Sequence, residues 1–182
     1  MLTFDWDDIK QTGFSLNNRI EIAAVPELQA LAEGEECEFL APLEVDLRIF
    51  PAGDLLEVAG SFNTEIEVNC SRCLCRFSRE LTEDFELSLA KELPQVTDED
   101  GSEVELSADE MGLVLVDADT IELLPYVVEQ VIMAFPHRVL CREDCRGVCP
   151  SCGVDLNQQQ CRCRPENVLN KFAALKDFKV QK

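Results

Sequence analysis

Residues 42–50 read PLEVDLRIF, and their alternation decides the fold class. Leu43, Val45, Leu47 and Ile49 fall on one side and Glu44, Asp46 and Arg48 on the other. A period of two is what an extended strand with one buried and one wet face requires. The pattern continues in both directions. After the turn signal Pro51-Ala-Gly-Asp54, residues 55–59 and 62–68 read as the next strands, the second alternating Phe62, Thr64, Ile66 and Val68. Residues 70–75 form a tight connection, and Phe77, Leu81, Phe85, Leu87 and Leu89 mark a returning strand or pair. Such closely spaced runs predict an antiparallel β-meander. Upstream, residues 1–31 are mixed, with Ile20, Ile22 and Val25 before Pro26-Glu-Leu opens a short helix.

Downstream, residues 95–105 (QVTDEDGSEVE) are acidic and read as an exposed loop, and residues 113–116 add one more strand. The segment DTIELLPYVVEQVIMAF, residues 119–135, then turns helical. Asp119 or Thr120 serves as its cap, Pro125 is tolerated near the first turn, and Pro136 stops it. Ile121, Leu124, Val128, Val131, Ile132 and Phe135 recur at helical spacing, so the helix is expected to lie across a sheet face.

The 182 residues, 46% of them apolar, suit one domain, or one domain with a small appendage. Chains of this size bury roughly 70% of the surface they expose when unfolded. No run reaches the roughly 18–20 apolar residues of a membrane span, and MLTFDWDDIK has neither the basic nor the apolar region of a signal peptide. The expectation is a cytoplasmic protein in a reducing compartment, where clustered thiols read as metal ligands before disulfides. The formal net charge is −20, unevenly spread. Residues 137–182 hold nine basic and five acidic groups, a balance of +4, and the remainder carries −24. An acidic body solubilises, repels nucleic acid or attracts a basic protein, while a basic tail suits an anionic partner.

Eight of the ten cysteines form four close pairs: Cys70/Cys73, Cys141/Cys145, Cys149/Cys152 and Cys161/Cys163. Tetrahedral zinc takes four thiolates, commonly as two chelating pairs, so four pairs imply one or two Zn2+ ions. CPSCG is the strongest signal, because Pro150 presets the turn after the first ligand and Gly153 permits positive φ after the second. The pairs can be joined in three ways. Loop closure favours Cys149/Cys152 with Cys161/Cys163, which leaves Cys70/Cys73 to join Cys141/Cys145. A single site with the other cysteines structural is the alternative. Cys37 reads as a small core hydrophobe and Cys75 as a bystander. The fold class that results is α+β: an antiparallel β-meander domain with one main packing helix over residues 1–136. A small zinc-stapled, basic C-terminal module over residues 137–182 packs on it.

Catalytic readings fit less well. A redox C-x-x-C belongs at a helix start in a βαβ unit, whereas here the context is a β-turn. An iron–sulfur cluster is compatible with the ligand type alone. A nucleophilic cysteine wants a positioned histidine, and the chain has only His137. Neither a phosphate-binding loop nor a dinucleotide fingerprint is present. The chain reads as a non-enzyme.

The order of motifs is itself distinctive. C-x-R-C closes a meander; an acidic loop and a helix follow, then C-x-x-x-C-R-G-x-C-P-x-C-G, L-N, C-x-C and F-A-A-L. Over residues 43–178 this resembles the YceD-like family, the large ribosomal RNA subunit accumulation proteins. The matching residues are Cys70, Arg72, Cys73, Cys145, Arg146, Gly147, Cys149, Pro150, Cys152, Gly153, Asn157, Cys161 and Cys163, with residues 172–175 as the closing motif. Members are bacterial cytosolic and plant organelle proteins linked to accumulation or processing of large-subunit ribosomal RNA. The resemblance implies a non-enzymatic ribosome-biogenesis factor whose partners are large-subunit ribosomal RNA, a ribosomal protein, or both. No small-molecule substrate and no membrane is implied. Arg72, Arg76 and Arg79 flank the first cysteine pair, and Arg142, Arg146, Arg162 and Arg164 flank the others. A metal site joining these segments would gather a basic patch able to position phosphates. The alternative is an acidic adaptor or chaperone for a basic ribosomal protein, without RNA contact.

Overall fold

The computed structural model describes residues 2–9, 13–34, 37–94, 96–97, 103–104 and 107–163. In chain order the elements are β1 (Thr3–Asp5), α1 (Trp6–Ile9), β2 (Phe14–Ile20), α2 (Pro26–Gly34), β3 (Glu38–Phe39) and β4 (Leu43–Ala52). They continue with β5 (Leu55–Asn69), β6 (Arg76–Ala90), β7 (Val96–Thr97), β8 (Glu103–Val104), α3 (Ala108–Met111), β9 (Leu113–Leu115), β10 (Thr120–Glu122) and α4 (Leu124–Ala134). The class is α+β with a mostly antiparallel sheet, as the alternation in residues 42–50 predicts.

The main sheet runs β2-β4-β5-β6-β9, with β3 also pairing β5. On β4 the expected face is buried at Leu43, Val45, Leu47 and Ile49, and Glu44, Asp46 and Arg48 face solvent. β2 pairs antiparallel with it from Phe14↔Ile49 to Ile20↔Leu43. Sequence pattern missed β2, because in FSLNNRI Phe14 is exposed and Leu16 and Ile20 are only half-buried, at an edge. Asn63 Nδ2 donates to Thr82 Oγ1 (2.7 Å) and Ser88 Oγ to Glu57 Oε2 (2.8 Å). Partners that climb one strand while descending the other make β5 and β6 antiparallel. Thr64, the buried polar side chain of β5, donates its hydroxyl proton to Ala41 O (2.9 Å).

Five expectations need correction. Residues 55–59 and 62–68 are one 15-residue strand, not two. Gly60 is no turn: it sits opposite Leu47, and a Cβ there would lie 2.3 Å from Phe85 Cζ and 2.8 Å from Leu47 Cδ2. The glycine makes room for the Phe85 ring, which also meets Phe62 at a centroid distance of 6.4 Å. Second, the strand at Leu113–Leu115 pairs parallel with β6, through Ser88↔Leu113 and Ala90↔Leu115. A parallel pair needs a crossover of roughly a dozen residues or more, and the link from Ala90 supplies it. Third, that link carries the antiparallel pair β7–β8 inside the segment read as a loop. It ends on α3, whose Ser107 and Glu110 form a capping box.

Fourth, Asp119 and Thr120 do not cap the main helix. Thr120–Glu122 forms β10 and pairs with β1, placing Ile121 opposite Phe4. The helix begins at Leu124 with Pro125 in its first turn, where a missing N–H costs nothing, and ends before Pro136. It buries Val127, Val128 and Val131, while Ile132 is exposed. Asp119 instead pairs with Lys91, whose hydrogen bond holds its carboxyl below the usual range. Fifth, Cys37 is half-buried, not a core residue.

Among the described residues the chain divides into two compact units. One is built from residues 2–69 and 77–137, the other from 70–76 and 138–163. The connection between β5 and β6 therefore belongs with the C-terminal segment.

Gly60→Ala should destabilise the first unit by about 1–3 kcal/mol through overpacking, read as a lower urea midpoint. Adding Phe85→Leu to Gly60→Ala should recover part of the loss. An unchanged midpoint for Gly60→Ala would contradict the close approach.

Candidate metal centre

The second unit holds two sets of four thiols. The Sγ atoms of Cys70, Cys73, Cys141 and Cys145 all lie within 4.8 Å of one another, as do those of Cys149, Cys152, Cys161 and Cys163. This is the grouping that loop closure favoured. Within the first set Cys70 Sγ is 3.7 Å from Cys145 Sγ, and Cys73 Sγ is 3.6 Å from Cys141 Sγ. Four thiolates about 2.3 Å from a tetrahedral zinc stand about 3.8 Å from one another. A disulfide would bring two sulfurs to about 2.05 Å. The sulfurs thus stand near the edge length of a ZnS4 tetrahedron, and the described cysteines are free thiols. The donor set fits a thiophilic, tetrahedral ion, and four protein ligands leave no open position for a substrate.

The first pair in each set sits on the same local backbone. Leu74 N–H donates to Cys70 O (2.9 Å) and Gly153 N–H to Cys149 O (2.8 Å). Cys70 N–H donates to Cys75 O and Cys149 N–H to Val154 O, each at 2.9 Å. The residue after the second cysteine has positive φ in both, 60° at Leu74 and 73° at Gly153. The two knuckles are one motif used twice. Sequence reasoning found no repeat because a leucine occupies the left-handed position in the first copy. That conformation costs a non-glycine residue roughly 1–2 kcal/mol.

The remaining ligands are placed by a hydrogen-bonded frame. Cys145 N–H donates to Arg142 O (3.1 Å), closing a turn over C-R-E-D-C. Arg72 joins the two stretches: its O accepts from Val148 N–H (3.1 Å) and its Nη1 donates to Cys145 O (2.9 Å). Gly147, at φ 72°, passes so close that a Cβ would lie 3.0 Å from Arg72 O. Asn157 Oδ1 accepts from Arg146 N–H (2.7 Å), and its Nδ2 donates to Asp155 Oδ1 (2.7 Å) and towards Cys145 Sγ (3.5 Å). A residue in the loop of the second set therefore touches a ligand of the first. The L-N motif marked Asn157, but its role is visible only in three dimensions.

Each set contains thiols pushed in opposite directions. Burial pushes Cys70 up, but backbone N–H groups of Cys73, Cys141 and Arg72 outweigh it and bring it to about 6. Backbone N–H groups of Cys152 and Ser151 bring Cys149 to about 6. Burial and the neighbouring thiols, Cys73 first, drive Cys141 strongly up. The Cys152 thiol, then burial, raises Cys163 to about 12. Each set thus accommodates one thiolate readily, at Cys70 or Cys149, and holds protons at Cys141 or Cys163 until a cation compensates them.

The arginines named from the sequence are distributed unequally. Arg72, Arg76, Arg142, Arg146 and Arg162 belong to the second unit, whereas Arg79 belongs to the first. Arg142 Nε lies 3.4 Å from Asp144 Oδ1, and Arg146 and Arg162 are exposed. Arg79 Nε reaches Glu80 O at 3.4 Å. Arg164 lies outside the described residues. His137 is exposed and joins neither thiol set.

An α+β chain with a two-centre thiol module is the class defined by this arrangement. The chain belongs to the family of the large ribosomal RNA subunit accumulation protein YceD, whose model matches residues 58–179. The match includes every cysteine of both sets. Among curated proteins, Uncharacterized protein Rv2926c of Mycobacterium tuberculosis (strain H37Rv) is 34% identical over 120 residues, covering 64% of this chain and 52% of its own length. Uncharacterized protein ML1660 of Mycobacterium leprae is 30% identical over 121 residues, covering 65% of this chain and 51% of its own. The chain spans about half the length of these curated relatives. No solved structure matches it.

Metal binding must expel the protons held by the raised thiols Cys141 and Cys163. These groups stay protonated at and below neutral pH, so affinity rises with pH and falls on acidification. Zinc affinity, measured by chelator competition, should fall about tenfold per pH unit per displaced proton between pH 8 and 6. Below pH 6 Cys70 and Cys149 also take up protons, and the fall should steepen. An affinity independent of pH would exclude thiolate ligation.

Proposed function

We propose that the chain is a non-enzymatic, cytoplasmic factor in bacterial large ribosomal subunit biogenesis. It supports accumulation or processing of large-subunit ribosomal RNA by binding that RNA, a ribosomal protein, or both. On this reading two Zn2+ ions, one per thiol set, hold the second unit in shape and take no part in chemistry. Residues 137–182 form the basic module, completed by the knuckle at residues 70–76. The family supports the biological setting. Both thiol sets are closed, which suits a structural rather than a catalytic metal. Among the described residues no helix is long and apolar enough to cross a membrane.

The observation that carries the reading is the coincidence of thiols and positive charge in an acidic chain. The segments that supply the ligands carry Arg76, Arg142, Arg146 and Arg162 in one unit, so folding around metal gathers cations that sequence keeps apart. Arg72 serves this patch indirectly, because its guanidinium already bonds Cys145 O. Each phosphate neutralised releases counterions, so RNA affinity should fall by roughly 0.7–0.9 log units per contact per decade of salt. With a −24 body opposing it, the patch should make about three to five contacts. Changing Arg142, Arg146, Arg162 and Arg164 together to Gln should flatten that slope and weaken ribosomal RNA binding at unchanged zinc content. An unchanged slope would mean that these arginines do not touch RNA.

A specific observation favours a second reading. Glu44, Asp46, Glu65, Glu80, Asp84 and Glu86 are exposed on β4, β5 and β6, and acidic side chains so placed suit a lysine- and arginine-rich protein. Capture of a basic ribosomal protein by a chain that binds no RNA, persisting after RNase, would replace RNA binding with the adaptor role.

A further inference from the structure

Cys75 belongs to neither set of four, yet its Sγ lies 3.2 Å from Cys73 Sγ. That is closer than the contacts of 3.6 Å and 3.7 Å within the first set. Cys73 is buried and Cys75 half-buried, so the fifth thiol is the more accessible of the two. Between them Leu74 is 66% exposed and holds the left-handed backbone that turns both sulfurs to the same side.

The second knuckle supplies an internal control. Its equivalent of Cys75, by the carbonyl that accepts from the first cysteine's N–H, is Val154. The knuckle is therefore built equally well with an apolar residue there. A thiol at this position is not demanded by the fold, and it is placed where it can reach a metal ligand.

We propose that Cys73 and Cys75 form an oxidation site at which a hydroperoxide opens the first centre and leaves the second closed. The proposal rests on reading the thiol sets as metal centres. Zinc does not change oxidation state, so both electrons come from sulfur. Cys75 sulfur attacks one peroxide oxygen; the S–O bond forms, the O–O bond breaks, and the thiol proton passes to the other oxygen, which leaves as water. Cys73 Sγ, a thiolate when it holds metal, then attacks the Cys75 sulfur; the S–S bond forms, the S–O bond breaks, and the hydroxide takes a proton from solvent and leaves as a second water. One thiol and one metal-held thiolate become one disulfide, and hydrogen peroxide with one solvent proton becomes two waters. Cys73 is lost as a ligand, and the three thiols that remain no longer close the first tetrahedron.

The test exposes the zinc-loaded full chain, free of reductant, to hydrogen peroxide, follows zinc with a chromogenic chelator and maps disulfides by mass spectrometry. Wild type should release one of its two ions as a Cys73–Cys75 disulfide appears, and reductant with zinc should restore it. Cys75→Ser and Cys75→Val, the latter copying the second knuckle, should begin with both ions and release the first roughly tenfold more slowly or less. Cys37→Ser should behave as wild type. Release from the Cys75 variants at the wild-type rate, or a first disulfide between any other pair, would overturn the proposal. So would Cys75 variants that begin with a single ion, because Cys75 would then be a ligand. A chain that carries no metal but still forms the Cys73–Cys75 disulfide would refute the metal reading and leave the thiol pair standing.

Discussion

Sulfur takes the place of a hydrocarbon core in the second unit. Its buried residues among those described are Cys70, Cys73, Cys145, Cys149, Gly147 and Val139. Burying one valine contributes about 1.5–3 kcal/mol, whereas a structural zinc contributes on the order of 10 kcal/mol or more. An ion bound at either set would therefore outweigh the hydrocarbon burial in this part of the chain. Ligands of the first set come from stretches 68 and 75 positions apart in sequence. What keeps them at tetrahedral spacing is a backbone frame: two knuckles, the Arg72 bridge to Cys145, and Asn157 spanning the two sets.

The frame also orders the charge. An acidic chain in which cations lie scattered through the sequence can present a basic surface only if something collects them. Grouping of the thiols would do so, since Arg76, Arg142, Arg146 and Arg162 lie in the same unit as the two thiol sets. The acidic side chains on β4, β5 and β6 belong to the other unit. Were both partner classes engaged, this division of the two signs between units would suit RNA phosphates to one and a basic protein to the other.

Much of this was legible in the sequence wherever one local signal dominated. Period-two alternation located β4, and the Pro and Gly flanking Cys149 and Cys152 located the second knuckle. Legibility failed where the deciding contact was distant. Gly60 looks like a break and is a close packing point for Phe85, twenty-five positions away. β9 gives no sign that its partner is parallel. Thr120–Glu122 reads as a helix start because its propensity is ambiguous, and only pairing with β1 makes it a strand. At the site, spacing named the eight clustered thiols. Leu74 hid the repeat of the knuckle, and nothing in the sequence showed that Cys75 would stand against Cys73.

The account depends most on metal at both thiol sets. Elemental analysis of protein purified under reducing conditions, combined with X-ray absorption at the metal edge, tests this directly. The prediction is two zinc ions per chain, each with four sulfurs at about 2.3 Å. Less than about half an equivalent of any metal would contradict the account. So would a mixed shell with fewer than four sulfurs, or coloured, iron-containing protein in place of zinc.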